Sequence, residues 1–175
     1  DNGLYRIGAN NFGVAVAGAL AMEFDPIGAI MTPLQPMVLA ESPGEANITG
    51  DGTDATLAFT TETADRNADW SSPTFTAPVT GIYFVAVSVI AQQLGAHALG
   101  RVLVQASNRN YGTGGRGDVG VMADSGNEVG MNWAGLVDMD ASDTFTIGMI
   151  INGSTKTCDV GSGAGQTALQ VALVG

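Results

Sequence analysis

Charge is what this sequence has least of. Asp, Glu, Lys and Arg make up 13% of its 175 residues, about half the usual quarter. Apolar residues reach 45% on a broad count, which excludes a disordered chain, because disorder goes with high charge and few large apolar side chains. A coiled coil is excluded too, since its surface needs Glu and Lys at every turn. Basic residues are scarcer still, 6 against 17 acidic ones, for a net charge of −11 with Lys156 the sole lysine. No arginine has a basic neighbour within four positions. Without a basic patch to neutralise phosphates, neither nucleic acid nor an anionic membrane is an expected partner.

Cysteine and histidine are each present once. Cys158 alone forms no internal disulfide and builds no thiolate metal site. His97 has no Gly-x-Ser-x-Gly elbow to serve, and a triad needs a histidine bonded to both a nucleophile and a carboxylate. A lone loop histidine reads as a surface residue. No pair of acids stands out for hydrolysis. The expectation is a protein that is not an enzyme, with no cofactor and no metal. Long apolar runs are missing as well. Residues 12–22 follow Arg6 and carry small residues at Ala17, Ala19 and Ala21 in the manner of a secretory signal. The run is far short of the roughly twenty residues a membrane span takes, and it reads as structure.

What is abundant is glycine, 25 residues, about twice the usual share of roughly 7%. The glycines have no three-residue period, so the chain is not collagen. A chain of this length buries a sizeable core, yet it has little charge with which to cover itself. Either its surface is neutral polar and glycine, or partners cover much of it.

The sequence divides at Pro36. Residues 1–36 include Asp25-Pro26 and end in Met31-Thr-Pro-Leu-Gln-Pro36, a proline pattern that favours extended and turn backbone. They read as an extended N-terminal arm or small pairing region, apolar enough to need a partner surface. Residues 37–175 read as short period-two segments between Gly, Asn, Asp, Ser and Thr clusters. The strongest strand is Gly81 to Gln92, with Tyr83, Val85, Val87 and Val89 on one side and Phe84, Ala86, Ser88 and Ile90 on the other. Both faces are apolar, so its sheet packs against something on each. Further strands are expected at Ala55–Thr60, Arg101–Ala106, Val119–Ala123, Val129–Met139, Thr144–Ile151 and Thr167–Val174. This spacing describes an all-β sandwich or jelly roll.

Several short motifs have bland readings that outweigh the sharp ones. Gly112-Thr-Gly-Gly-Arg-Gly117 matches a dinucleotide fingerprint, but no βαβ unit surrounds it and Asp118 would repel a phosphate, so it reads as a long connection. Arg116-Gly117-Asp118 is the integrin-type tripeptide, a common chance match in a glycine-rich chain. Asp138, Asp140 and Asp143 could offer oxygens to calcium but lack the glycine and distal Glu of an EF-hand loop, and read as a solvated turn. Asp51-Gly-Thr-Asp54 reads likewise. Asn47-Ile-Thr49 and Asn152-Gly-Ser154 are glycosylation acceptors only on a eukaryotic secretory route.

Phe75-Thr-Ala-Pro-Val-Thr-Gly-Ile-Tyr-Phe84 resembles the Phe-x-x-Pro-x-x-Gly-x-Tyr signature of the complement-1q/tumour-necrosis-factor-like superfamily. Met139-Asp-Ala-Ser-Asp-Thr-Phe145 resembles that family's Leu-x-x-Gly-Asp-x-Val turn, with Ser142 in place of the glycine. Thr167-Ala-Leu-Gln-Val-Ala-Leu-Val174 resembles its closing strand, with Leu169 for the aromatic and Val171 for the glycine. The resemblance spans 37–175 and implies a jelly roll that assembles as a homotrimer without catalytic residues. By parity from Gly81 it places Tyr83, Val85 and Val87 inside the sandwich and Phe84, Ala86 and Ser88 against neighbouring subunits. Leu169 and Val171 are carried over to the same trimer interface. Gly28-Ala-Ile-Met-Thr-Pro-Leu-Gln-Pro-Met37 resembles the lead-in before jelly-roll domains of tailed-phage virion proteins. Together these imply a homotrimeric capsid decoration, or cement, protein on the virion surface, with the major capsid protein or other virion proteins as partners and the arm as anchor. The alternative is a receptor- or carbohydrate-binding head of a tail fibre or secreted adhesin. Aromatics at 6% rank it second, because sugar recognition favours exposed rings.

Overall fold

The structure is a computed structural model that describes residues 2–162 and 165–175, and for residues 113–116 only the backbone. The chain divides into two units, residues 1–36 and 37–175.

In the first unit, four strands form an antiparallel meander in chain order: β1 (Gly3–Arg6), β2 (Phe12–Val16), β3 (Ala19–Phe24) and β4 (Ile30–Met31). The segment expected as an arm or small pairing region is thus a folded sheet. Its central turn is a two-residue hairpin in which Ala17 and Gly18 take φ of 50° and 80°. Positive φ at both central residues matches the twist of the flanking strands. Phe12 lies opposite Phe24 in register, and their rings stack at 4.5 Å. Asp25 holds the next turn by accepting the Ile27 and Ala29 N–H groups. No apolar side chain from Leu4 to Leu34 is buried.

The second unit runs β5 (Met37–Glu41), β6 (Glu45–Thr49), β7 (Asp54–Thr56), β8 (Thr61–Arg66), β9 (Trp70–Ser71), β10 (Thr74–Thr76), β11 (Gly81–Gln92), β12 (Leu99–Ala106), β13 (Asn110–Asp118), one helical turn α1 (Val119–Met122), β14 (Val129–Met139), β15 (Thr144–Ile151), β16 (Cys158–Val160) and β17 (Ala168–Leu173). One sheet has the order β13-β12-β15-β10-β9, with β7 also on β15. In the other, β14, β11, β17, β5 and β8 lie side by side, and β16 and β6 continue from the end of β11. Every pairing is antiparallel, and the two sheets close on one core.

That core follows from period-two alternation. Tyr83, Val85, Val87, Val89 and Ala91 of β11 point inward with Val129, Met131, Val137 and Met139 of β14 and Leu169 and Val171 of β17. They meet Val102, Val104, Phe145, Ile147, Met149 and Ile151 from the other sheet. The motif residues account for one end. Phe75 lies edge-on to Tyr83 at 5.4 Å and stacks on Phe145 at 5.0 Å. The buried Tyr83 hydroxyl donates to the Val79 carbonyl at 2.7 Å, as a buried phenol needs.

Two strand expectations and one loop expectation change. Ala55–Thr60 is regular only over Asp54–Thr56, after which Leu57 and Phe59 are still fully buried. Val119–Ala123 is a helical turn capped by Asp118, whose side chain accepts the Val121 N–H. The glycine-rich stretch read as a connection is strand β13, at an edge, where two register shifts against β12 absorb the irregularity. The fingerprint glycines therefore lie along a strand. The Arg116 side chain of Arg116-Gly117-Asp118 lies outside the described residues.

Candidate functional site

Direct cross-strand partners share a face of a sheet, so the register shows what the outward side of β14-β11-β17-β5 presents. Phe84 stands between Leu136 and Ala172, Ala86 between Ala134 and Gln170, and Ser88 between Asn132 and Ala168. On the next strand Ala172 faces Met37, Gln170 faces Leu39 and Ala168 faces Glu41. One end of this face is apolar, with Phe84 39% and Leu136 60% exposed, and Leu39 in the next row is 36% exposed. Its middle is a shallow hollow of about 180 Å³ lined by Ala86, Ala134 and Ala168 together with Ser88, Asn132 and Gln170. Across the three central strands, none of the nine register positions from Phe84 to Ser88 on this face carries a formal charge. β11 was expected to be covered on both faces, and this chain covers one.

Phe84, Ala86 and Ser88 therefore lie together on the outward face, where parity placed them. Leu169 and Val171 do not join them. Val171 is the direct partner of Val85 and Leu169 of Val87, so both share the inward face and are fully buried within one chain. They are core residues and are not available to a neighbouring subunit. The residues of β17 that do face outward are Ala168, Gln170 and Ala172. Leu136 and Asn132 went unrecognised, although Val129–Met139 was identified as a strand. Counting alternate residues back from buried Met139 would have placed them.

The acidic turn is already occupied by the protein itself. Asp138 pairs with Arg109 at 3.1 Å, and Arg109 lies over the Tyr111 ring at 5.4 Å. Asp143 accepts from the Ser107 hydroxyl, the Asn108 amide and the Asp140 N–H, and Asp140 accepts from Thr80. These carboxylates tie the β12–β13 and β14–β15 turns together. Among the described residues no cluster of His, Cys, Asp or Glu could hold a metal ion.

His97, expected at the surface, is 5% exposed, with Nε2 3.1 Å from the Thr155 carbonyl oxygen. The site exists because Gly50 has φ +133°, and a Cβ there would stand 2.1 Å from the Thr155 carbonyl oxygen and 2.6 Å from His97 Nε2. The Cys158 thiol is fully buried, and burial pushes it up to about 12, which leaves it unreactive at neutral pH. Of the two glycosylation acceptors, Asn47 is exposed, whereas Asn152 is half-buried and its side-chain oxygen accepts from the Leu99 N–H. No helix among the described residues is long and apolar enough to cross a membrane.

No protein-family profile and no curated protein matches the chain. Solved structures do. The globular domain of zebrafish complement 1qA protein superposes with a TM-score of 0.55 at 12% identity, covering 81% of this chain and 98% of that one. Murine APRIL at pH 5.0 superposes with a TM-score of 0.56 at 12% identity, covering 80% and 99%. The fold is the complement-1q/tumour-necrosis-factor-like jelly roll. At this level of identity the likeness concerns backbone architecture alone. Within it, Tyr83 lies in the core as the resemblance implied, Phe75 packs there beside it, and Gly81 stands at a close approach. A Cβ on Gly81 would meet the Gly175 carbonyl oxygen at 2.6 Å.

Proposed function

We propose that this jelly roll is a homotrimeric structural protein of a virion, a decoration or cement protein of a phage head, and not an enzyme. The observation that carries the reading is the uncharged outward face of β11, β14 and β17, with Phe84 and Leu136 exposed at one end. Apolar faces of this kind mark protein interfaces, and burying them returns about 25 cal/mol per Å² before association costs. In this reading Phe84, Ala86 and Ser88, joined by Leu136, Asn132 and Gln170, pack around a threefold axis. The N-terminal meander, which buries none of its own apolar side chains, attaches the trimer to the shell formed by the major capsid protein. The resemblance of Gly28–Met37 to a phage lead-in supports the same placement.

Two measurements separate the parts of this proposal. Equilibrium sedimentation of the full chain tests the trimer. Binding of the full chain and of residues 37–175 to purified shells tests attachment. The expected result is a trimer in both cases, with particle binding lost on removal of residues 1–36. Undiminished binding by the shortened chain would remove the anchoring role, and a monomer would remove the assembly role.

A further inference from the structure

We propose that Asp65 and Asp69 form an acid-tightened clasp at the point where the chain crosses from one sheet of the sandwich to the other. β8 belongs to the β14-β11-β17-β5-β8 sheet and β9 to the opposite one, so residues 67–69 are the crossover. They turn through two consecutive left-handed residues, Asn67 at φ 72° and Ala68 at φ 56°. Such positions are disfavoured for residues with a Cβ and persist only where their surroundings impose them. Here Asp65 does so. Its Oδ1 accepts the Asp69 N–H at 3.1 Å and its Oδ2 the Trp70 N–H at 3.2 Å. Beyond the turn, the Asp69 carbonyl accepts the Thr76 N–H at 2.9 Å. The buried Trp70 indole donates to the Phe59 carbonyl at 2.9 Å and lies edge-on to the Phe59 ring.

Within this frame Asp69 is 8% exposed, and its Oδ2 is buried without a hydrogen-bond partner among the described residues. A buried carboxylate oxygen with no donor is costly when charged and much less so when protonated. The groups acting on it are Asn67, whose side chain hydrogen-bonds the carboxyl, the Asp65 carboxylate on β8, and the Tyr83 phenol on β11. Burial pushes the Asp69 carboxyl above its ordinary 3.8, the Asn67 hydrogen bond opposes this, and the Asp65 charge adds to it. The folded chain thus holds this proton more tightly than the unfolded chain. Stability linked to Asp69 is gained as pH falls through the raised folded value. It is complete below 3.8 and lost again as pH rises. The clasp tightens as the Asp69 carboxyl takes up its proton and loosens as that proton is lost.

The test is carboxyl-carbon NMR titration of the full chain, with amide hydrogen exchange at Asp69 and Trp70 and thermal unfolding of the wild type and Asp69→Asn. We expect Asp69 to titrate above 3.8 and the two amides, corrected for intrinsic rates, to exchange more slowly below the Asp69 midpoint than above it. Asp69→Asn should unfold about 2–4 °C higher than wild type near neutral pH, with the gap closing as pH falls. Titration at or below 3.8, or amide protection that does not follow the Asp69 titration, would overturn the clasp. The titration and exchange use the unmodified chain, so they decide the matter even if the variant does not fold.

Discussion

Ser142 and Gly81 stand at two positions where the resembled motif carries glycine, for two different reasons. Ser142 takes φ 77° at the β14–β15 turn, where the resembled motif carries glycine, while its N–H donates to the Ala77 carbonyl at 2.8 Å. A left-handed non-glycine residue costs about 1–2 kcal/mol. Ser142→Gly should therefore stabilise the fold by about 1 kcal/mol, read as a higher urea midpoint with unchanged slope. Gly81 is not in a left-handed conformation. It is glycine because the Gly175 carbonyl and the Leu173 side chain stand where a Cβ would go. Gly81→Ala forces those neighbours aside and should cost about 1–3 kcal/mol by the same measurement. The turn sequence was legible at both positions, but its physical reasons differ, and only the contacts separate steric crowding from backbone conformation.

At the scale of elements, β11 and β17 hold both the best and the worst of what the sequence conveyed. The bounds of β11 and its alternation were readable because eleven of its twelve residues, Gly81 to Ala91, are apolar or small without interruption. The face of β17 was misread because Leu169 and Val171 were placed by alignment with a motif they match poorly. Antiparallel register, Val85 to Val171 and Val87 to Leu169, puts them in the core. Leu169→Ala should consequently cost about 2–5 kcal/mol in unfolding free energy. Leu136→Asp sits on a side chain 60% exposed. It should leave secondary structure and the chain's own fold intact while abolishing self-association, as read by circular dichroism and sedimentation together. If instead Leu136→Asp unfolds the chain, the outward face is not what that strand presents. β13 was illegible for another reason: glycine weakens strands generally, and only its pairing to β12 at a sheet edge reveals it. The meander of residues 1–36 was half legible, because its prolines signal extended backbone without specifying partners.

For the molecule as a whole, scarcity of charge and excess of acid pull in different directions. An uncharged face invites association, whereas each chain brings a net charge of −11 to any assembly, and like charges resist close approach. Salt shortens the reach of that repulsion to about 10 Å at 0.1 M and about 3 Å at 1 M. Raising salt across that range should therefore tighten self-association, in contrast to the loosening seen where opposite charges attract. Weaker association at high salt would assign the interface to ion pairs and away from the face of Phe84 and Leu136. Whether the face of Phe84 and Leu136 meets copies of itself is read from static light scattering of the full chain at micromolar concentration. A mass three times the 17.7 kDa of one chain is expected, and a mass that remains at 17.7 kDa would rule this pairing of faces out.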